Sequence, residues 1–231
     1  MSDVCTISRA PRGFSCTYRV VLLLAVLCAG CGPATPPPKP TVVAKSADPA
    51  GIDRIRTKLP PDYEIAPLPT PPMPVTFWGV APGWSADPPH CGDLATVGPG
   101  TTRGWSASGP GGIVYALVVA GSAPSADLRA LCGSWTLGGG RSTAAVTVAD
   151  GPLIADATTV RLTADVTTRV ENGTETHSHA STLLAYIDDL AISVTVVTDP
   201  GAGAAGLPEH VPAGLLGNAV QAIRSTTGGT G

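Results

Sequence analysis

The sequence predicts an α+β fold, an antiparallel β-sheet meander with helices packed on one face. Three observations predict it. Apolar Val160, Leu162, Ala164, Val166 and Val170 alternate with Arg161, Thr163, Asp165, Thr167 and Arg169, the period of a half-buried strand. Asn172-Gly173 follows, a strong hairpin signal, and Asp188-Asp189 marks a second tight turn. Two-residue turns at both places set Leu162 opposite Leu183, Val160 opposite Ala185, Ala185 opposite Ile192 and Leu183 opposite Val194. Three strands then share one apolar face, and the row Thr163, Thr182, Thr195 points outward. Lastly, Leu216, Val220 and Ile223 share one side of a helix predicted over 209–224, which covers the apolar face.

In chain order, residues 1–30 carry Arg9, Arg12 and Arg19 ahead of an apolar run from Val20 to Gly30. That run is shorter than the roughly 20 residues of a membrane-spanning helix and reads as a cleavable signal peptide. It ends in Cys28-Ala29-Gly30-Cys31. Small residues before a cysteine resemble the bacterial lipobox, although Cys28 stands where that box usually has Leu. The resemblance implies a palmitate-bearing lipoprotein, acylated at Cys31 and held on the extracytoplasmic face of the cell membrane. Residues 31–50 are then the lipidated cysteine and a spacer made extended by Pro33, Pro36, Pro37, Pro38, Pro40 and Pro49. One domain is expected over 51–226, with a disordered tail at 227–231.

Within the domain, Ile52, Ile55 and Leu59 have helical spacing until Pro60-Pro61 stops it. Residues 62–111 read as irregular. Ile113 to Ala120 is a continuous apolar run suited to a central strand. Pro124-Ser125 opens a helix whose stripe is Leu128, Leu131, Cys132 and Trp135, ahead of a loop at Gly138-Gly139-Gly140. Thr143 to Ala149 is a further strand.

The formal charge of the chain is −3, and the leader removes more basic than acidic residues. No Lys/Arg cluster exists, which argues against a nucleic-acid partner. Beyond the leader and Cys31, only Cys91 and Cys132 remain. In an oxidising compartment their simplest use is a disulfide.

The order Ile52-x-x-Ile55, Leu59-Pro60-Pro61-Asp62-Tyr63-Glu64, Phe77-Trp78-Gly79 and Asp87-Pro88-Pro89-His90-Cys91-Gly92 resembles mycobacterial exported lipoproteins of unknown function. More distantly it resembles the PknH-type extracellular sensor domain of receptor kinases. The resemblance implies an antiparallel sheet with helices around a cleft, and ligand sensing or envelope binding.

Catalytic signatures are sparse. The run Gly201 to Gly206 matches a dinucleotide fingerprint, but Pro208 interrupts the helix it requires, so it reads as a Gly/Ala loop. Gly104 to Gly109 lacks the spacing of a serine-hydrolase elbow. Asn172-Gly173-Thr174 reads as a turn. Two groups remain as candidate ligand-binding residues: Trp78, Trp84 and Trp105 on loops, and His177 with His179. The histidines point the same way near the hairpin tip, on the inner face, with His179 opposite Val166. A zinc site needs three or four ligands, so no metal or cofactor is expected. The function expected is a non-catalytic ligand-binding or sensor-like module, with the membrane as partner through its lipid, and an envelope lipid, glycan or protein as ligand. The alternative is an envelope hydrolase or metal-dependent enzyme using His177 and His179 with Asp188 or Asp199.

Overall fold

The computed structural model describes residues 47–68, 74–96, 98, 103–198 and 206–225. The expected signal peptide, Cys31, most of the spacer, Asp199, the Gly/Ala loop at 201–205 and the tail at 227–231 lie outside the described residues.

Nine strands form one antiparallel sheet: β1 Glu64–Pro67, β2 Ser85–Asp87, β3 Arg103–Gly109, β4 Gly112–Ala120, β5 Ser134–Gly139, β6 Ser142–Asp150, β7 Thr158–Arg169, β8 Glu175–Ile187 and β9 Leu190–Val197. Their spatial order is β1-β3-β4-β9-β8-β7-β6-β5-β2. The helices are α1 Pro74–Phe77, α2 Ala126–Leu131 and α3 His210–Arg224, with 3-10 turns at Pro49–Lys58, Pro89–Ala95 and Glu171–Gly173. The α+β class and the antiparallel sheet are as the sequence predicts. The segment expected to be irregular, 62–111, contains β1, β2 and β3. Among the described residues no helix is long and apolar enough to cross a membrane.

The β8–β9 register is the expected one, with Leu183 opposite Val194 and Ala185 opposite Ile192. The β7–β8 register is not: Leu162 lies opposite Thr182 and Val160 opposite Leu184. Glu171 joins Asn172-Gly173 in a three-residue loop closed by the Val170 N–H donating to the Thr174 carbonyl at 2.8 Å. One extra loop residue moves every β7 side chain to the other face relative to β8. Val170, expected inside, is 40% exposed at the loop.

The consequence is a sheet covered on both faces rather than one. On the first face, Val160, Leu162, Ala164 and Val166 pack with Leu184, Val146 and Trp135 beneath a lid of Val75, Trp78, Val80, Leu94 and Ala95. The Cys91–Cys132 disulfide belongs to this core, with Cα atoms 5.5 Å apart. It ties the lid to the end of α2. Ser125 caps α2, its hydroxyl accepting from the Leu128 N–H at 3.1 Å. The expected stripe on this helix is cut short. Leu131 is 74% exposed, and Trp135 lies buried on β5, because the helix ends ahead of Gly133.

On the second face, Leu183, Ala185, Ile192 and Val194 pack with Trp105, Ala116 and Val118 beneath α3 and the Pro49–Lys58 turn. Leu216, Val220 and Ile223 of α3 are buried with Ile52 and Ile55, as their spacing predicts. Gly51 permits this contact, since a Cβ there would lie 2.5 Å from the Ala222 carbonyl oxygen. Strands β4, β9 and the later half of β8 lie beneath both covers, so those stretches read as largely apolar runs without parity.

The expected solvent row is also corrected. Thr182 and Thr195 are both 0% exposed. The Trp78 indole N–H donates to Thr182 Oγ1 at 3.0 Å, and Thr182 Oγ1 and Thr195 Oγ1 are bonded at 2.9 Å. This polar chain pins the lid to the sheet.

Candidate functional site

The two covers do not overlap everywhere. The α3 cover reaches β3, β4, β9 and the later half of β8, while the same side of β5, β6, β7 and the start of β8 is bare. Strand alternation fills this bare area with mostly polar residues. Thr143, Ala145 and Thr147 of β6 lie opposite Thr167, Asp165 and Thr163 of β7, and beyond these stand His177, His179 and Ser181 of β8. Arg161 of β7 marks the boundary with the helical cover, through its ion pair with Glu209 ahead of α3.

At the far end of the bare area lies a cleft of about 500 Å³, lined by Gly140, Arg141, Thr143, Thr167, Arg169, Val170, Glu171, Asn172 and Glu175. Two turns shape it. Gly140, at φ +60°, makes the two-residue β5–β6 turn. Asn172 and Gly173, at φ +64° and +78°, shape the β7–β8 loop. Arg169 is ion-paired with Glu175 at 3.0 Å. Among the described residues, the Arg141 side chain has no hydrogen bond or ion pair.

His177 and His179 share the face of Leu183, as parity along β8 requires, but they stand beyond the reach of α3 and are exposed. They are not on an inner face, and His179 lies opposite Asp165 rather than Val166. His179 Nδ1 and Asp165 Oδ1 are 2.8 Å apart, and His177 Nδ1 and Thr167 Oγ1 are 3.2 Å apart. Asp188 sits past the opposite end of β8, roughly 36 Å from His177 at about 3.3 Å per residue, and so shares no site with it. The described residues hold one group of three potential metal ligands, His90, Cys91 and Cys132. Its two sulfurs are bonded to each other.

The tryptophans are placed differently from expectation. Trp78 and Trp105 are 1% and 0% exposed, and the Trp105 indole donates to the Ile52 carbonyl at 2.9 Å. Trp84 is half-buried against the first core. Trp78 and Trp105 fill the interior and present no ring face to a ligand. Sequence reasoning missed Arg141, Arg169, Thr143 and Thr167. Their signal was the polar half of the β7 alternation and an arginine directly after three glycines.

Comparisons with known proteins bear on the whole domain. Residues 48–224 match the family described as a domain of unknown function, DUF5642, and the chain belongs to that family. The fold is similar to that of an uncharacterised protein (the Rv0999 ortholog) from Mycobacterium smegmatis. The TM-score is 0.56 at 21% identity, over 78% of this chain and 98% of that one. A similarity to the extracellular domain of PknH from Mycobacterium tuberculosis has a TM-score of 0.43 at 14% identity, over 78% of this chain and 93% of that one. Curated protein sequences include no match to the chain.

Proposed function

We propose that this DUF5642 member is a lipid-anchored cell-envelope protein. Its domain binds an envelope lipid, glycan or protein without catalysis, on the bare part of the sheet. The observation that carries this reading is the cleft at the end of that area. Its volume of about 500 Å³ falls in the range of small-ligand sites, and strands β6, β7 and β8 hold four of its nine lining residues, the two turns the other five. The anchor rests on Cys28-Ala29-Gly30-Cys31 and the proline-rich spacer behind it.

A second reading, an envelope hydrolase, has one observation in its favour. The Asp165 carboxylate holds His179 Nδ1, as an orienting acid holds a general base. Among the described residues no hydroxyl or thiol is bonded to Nε2, so the pair lacks a nucleophile. Hydrolysis of a p-nitrophenyl ester by the full chain, lost in His179→Ala, would favour this reading.

Two experiments test the proposal. Cys31→Ala should abolish fatty-acid labelling and release the protein from the membrane fraction; unchanged retention with an uncleaved leader would contradict the anchor. Native mass spectrometry of the full-length protein, mixed with extract of its own cell envelope, should show a saturable adduct. No adduct with lipid, glycan or protein fractions would contradict the binding role.

A further inference from the structure

The geometry points to the cleft between the β5–β6 and β7–β8 turns as a site for a singly charged oxyanion, a phosphodiester or carboxylate, on a hydroxyl-bearing carrier. This rests on the proposed binding role and specifies the ligand class.

Arg141 and Arg169 are direct cross-strand neighbours. Ser142 pairs with Thr168, and the Arg169 N–H donates to the Arg141 carbonyl at 2.9 Å. Both residues line the cleft. Like charges directly opposite each other are unfavourable in an antiparallel pair. Glu175 relieves Arg169 at 3.0 Å. Arg141 has no such partner among the described residues, so its guanidinium is available to a ligand anion. Two guanidinium groups on paired residues can together match the two oxygens of a carboxylate or phosphodiester.

The rest of the lining limits the ligand further. Glu171 and Glu175 balance the two arginines, so a dianionic phosphate monoester meets repulsion that a monoanion largely escapes. Thr143, Thr167 and Asn172 offer hydroxyl and amide groups, and the glutamates accept from ligand hydroxyls. No aromatic residue lines the cleft, so the carrier is held by hydrogen bonds rather than ring stacking.

Calorimetric titration of the full-length protein tests this with four probes. They are glycerophosphoglycerol, glucuronate, glycerol 3-phosphate, and phosphatidylcholine vesicles with or without phosphatidylglycerol. At least one monoanion should bind saturably. Arg141→Gln and Arg169→Gln should each weaken it tenfold or more, with melting curves showing both variants folded. Glycerol 3-phosphate should bind at least tenfold more weakly than that monoanion. Arg103→Gln, at an exposed arginine ion-paired with Asp53 of the Pro49–Lys58 turn, should leave binding unchanged. Binding to glycerophosphoglycerol and the phosphatidylglycerol vesicles would identify a lipid headgroup; binding to glucuronate alone would identify an acidic glycan. No saturable monoanion binding, or equal affinity in Arg141→Gln, overturns the inference. If envelope extract still forms its adduct in that case, the anion site falls and the broader binding role stands.

Discussion

Thr182→Val should destabilise the domain far more than a threonine on an outward row would. Valine keeps the shape, so the change isolates the hydroxyl. That hydroxyl accepts from the Trp78 indole at 3.0 Å and bonds Thr195 at 2.9 Å, at a residue that is 0% exposed. Removing it leaves a buried indole N–H unpaired, at about 1–3 kcal/mol, and loses a second bond worth about 1 kcal/mol. The expected cost is therefore about 2–4 kcal/mol. Thr195→Val keeps the indole bond and should cost only about 1 kcal/mol. In the double variant Thr182→Val with Trp78→Phe, the unpaired donor is gone. Its cost should fall below the sum of the single costs by about 1–2 kcal/mol. Urea melts followed by far-UV circular dichroism read all of these, at unchanged m-value. A Thr182→Val cost within about 0.5 kcal/mol of zero, or equal costs at Thr182 and Thr195, would refute the buried chain.

Further outcomes follow from the same packing. Replacing both cysteines by alanine should cost about 4 kcal/mol in the chain-entropy model, given their separation of 41 residues; denaturant melts of the double variant measure it. Leu162→Ala and Leu183→Ala, in cores on opposite faces, should each cost about 2–5 kcal/mol, whereas exposed Thr147→Ala should stay within about 0.5 kcal/mol. Burial pushes the Tyr186 hydroxyl up to about 12, against a smaller opposing effect of Arg129. Its contribution is fully present below the unfolded value near pH 10 and is lost as pH rises towards 12. The loss is on the order of 2–3 kcal/mol, and melts across that window should show it absent in Tyr186→Phe.

The sequence was legible where local chemistry decides the outcome. Asp188-Asp189 makes a two-residue turn, with Asp188 at φ +49°, and the β8–β9 register follows from it. The spacing of Leu216, Val220 and Ile223 marks the buried side of α3, and the two cysteines pair. The β7–β8 register was not legible. Asn172-Gly173 announces a turn without saying that Glu171 belongs to it, and apolar Leu183 to Ile187 offers β8 no parity with which to reject the slip. That slip hid the second cover and the burial of Thr182. It also misplaced the histidines relative to β7. The tryptophans misled for a different reason. Their Pro/Gly-rich surroundings suggest surface loops, yet the segment around Trp78 folds over the sheet as its lid, and Trp105 lies within β3. The cleft was not legible, because its residues come from two turns far apart in the chain and meet only when β6 pairs with β7.

The central claim is that the bare part of the sheet, ending in the Arg141–Arg169 cleft, is the binding face. Two-dimensional NMR of the isotope-labelled full-length protein, titrated with its own envelope extract, tests it most directly. The account predicts saturable shifts concentrated at Arg141, Thr143, Thr167, Arg169 and His177, with the amides of α3 and of the Trp78 lid unmoved. Shifts centred on the lid or on α3, or no saturable shift at all, would contradict it.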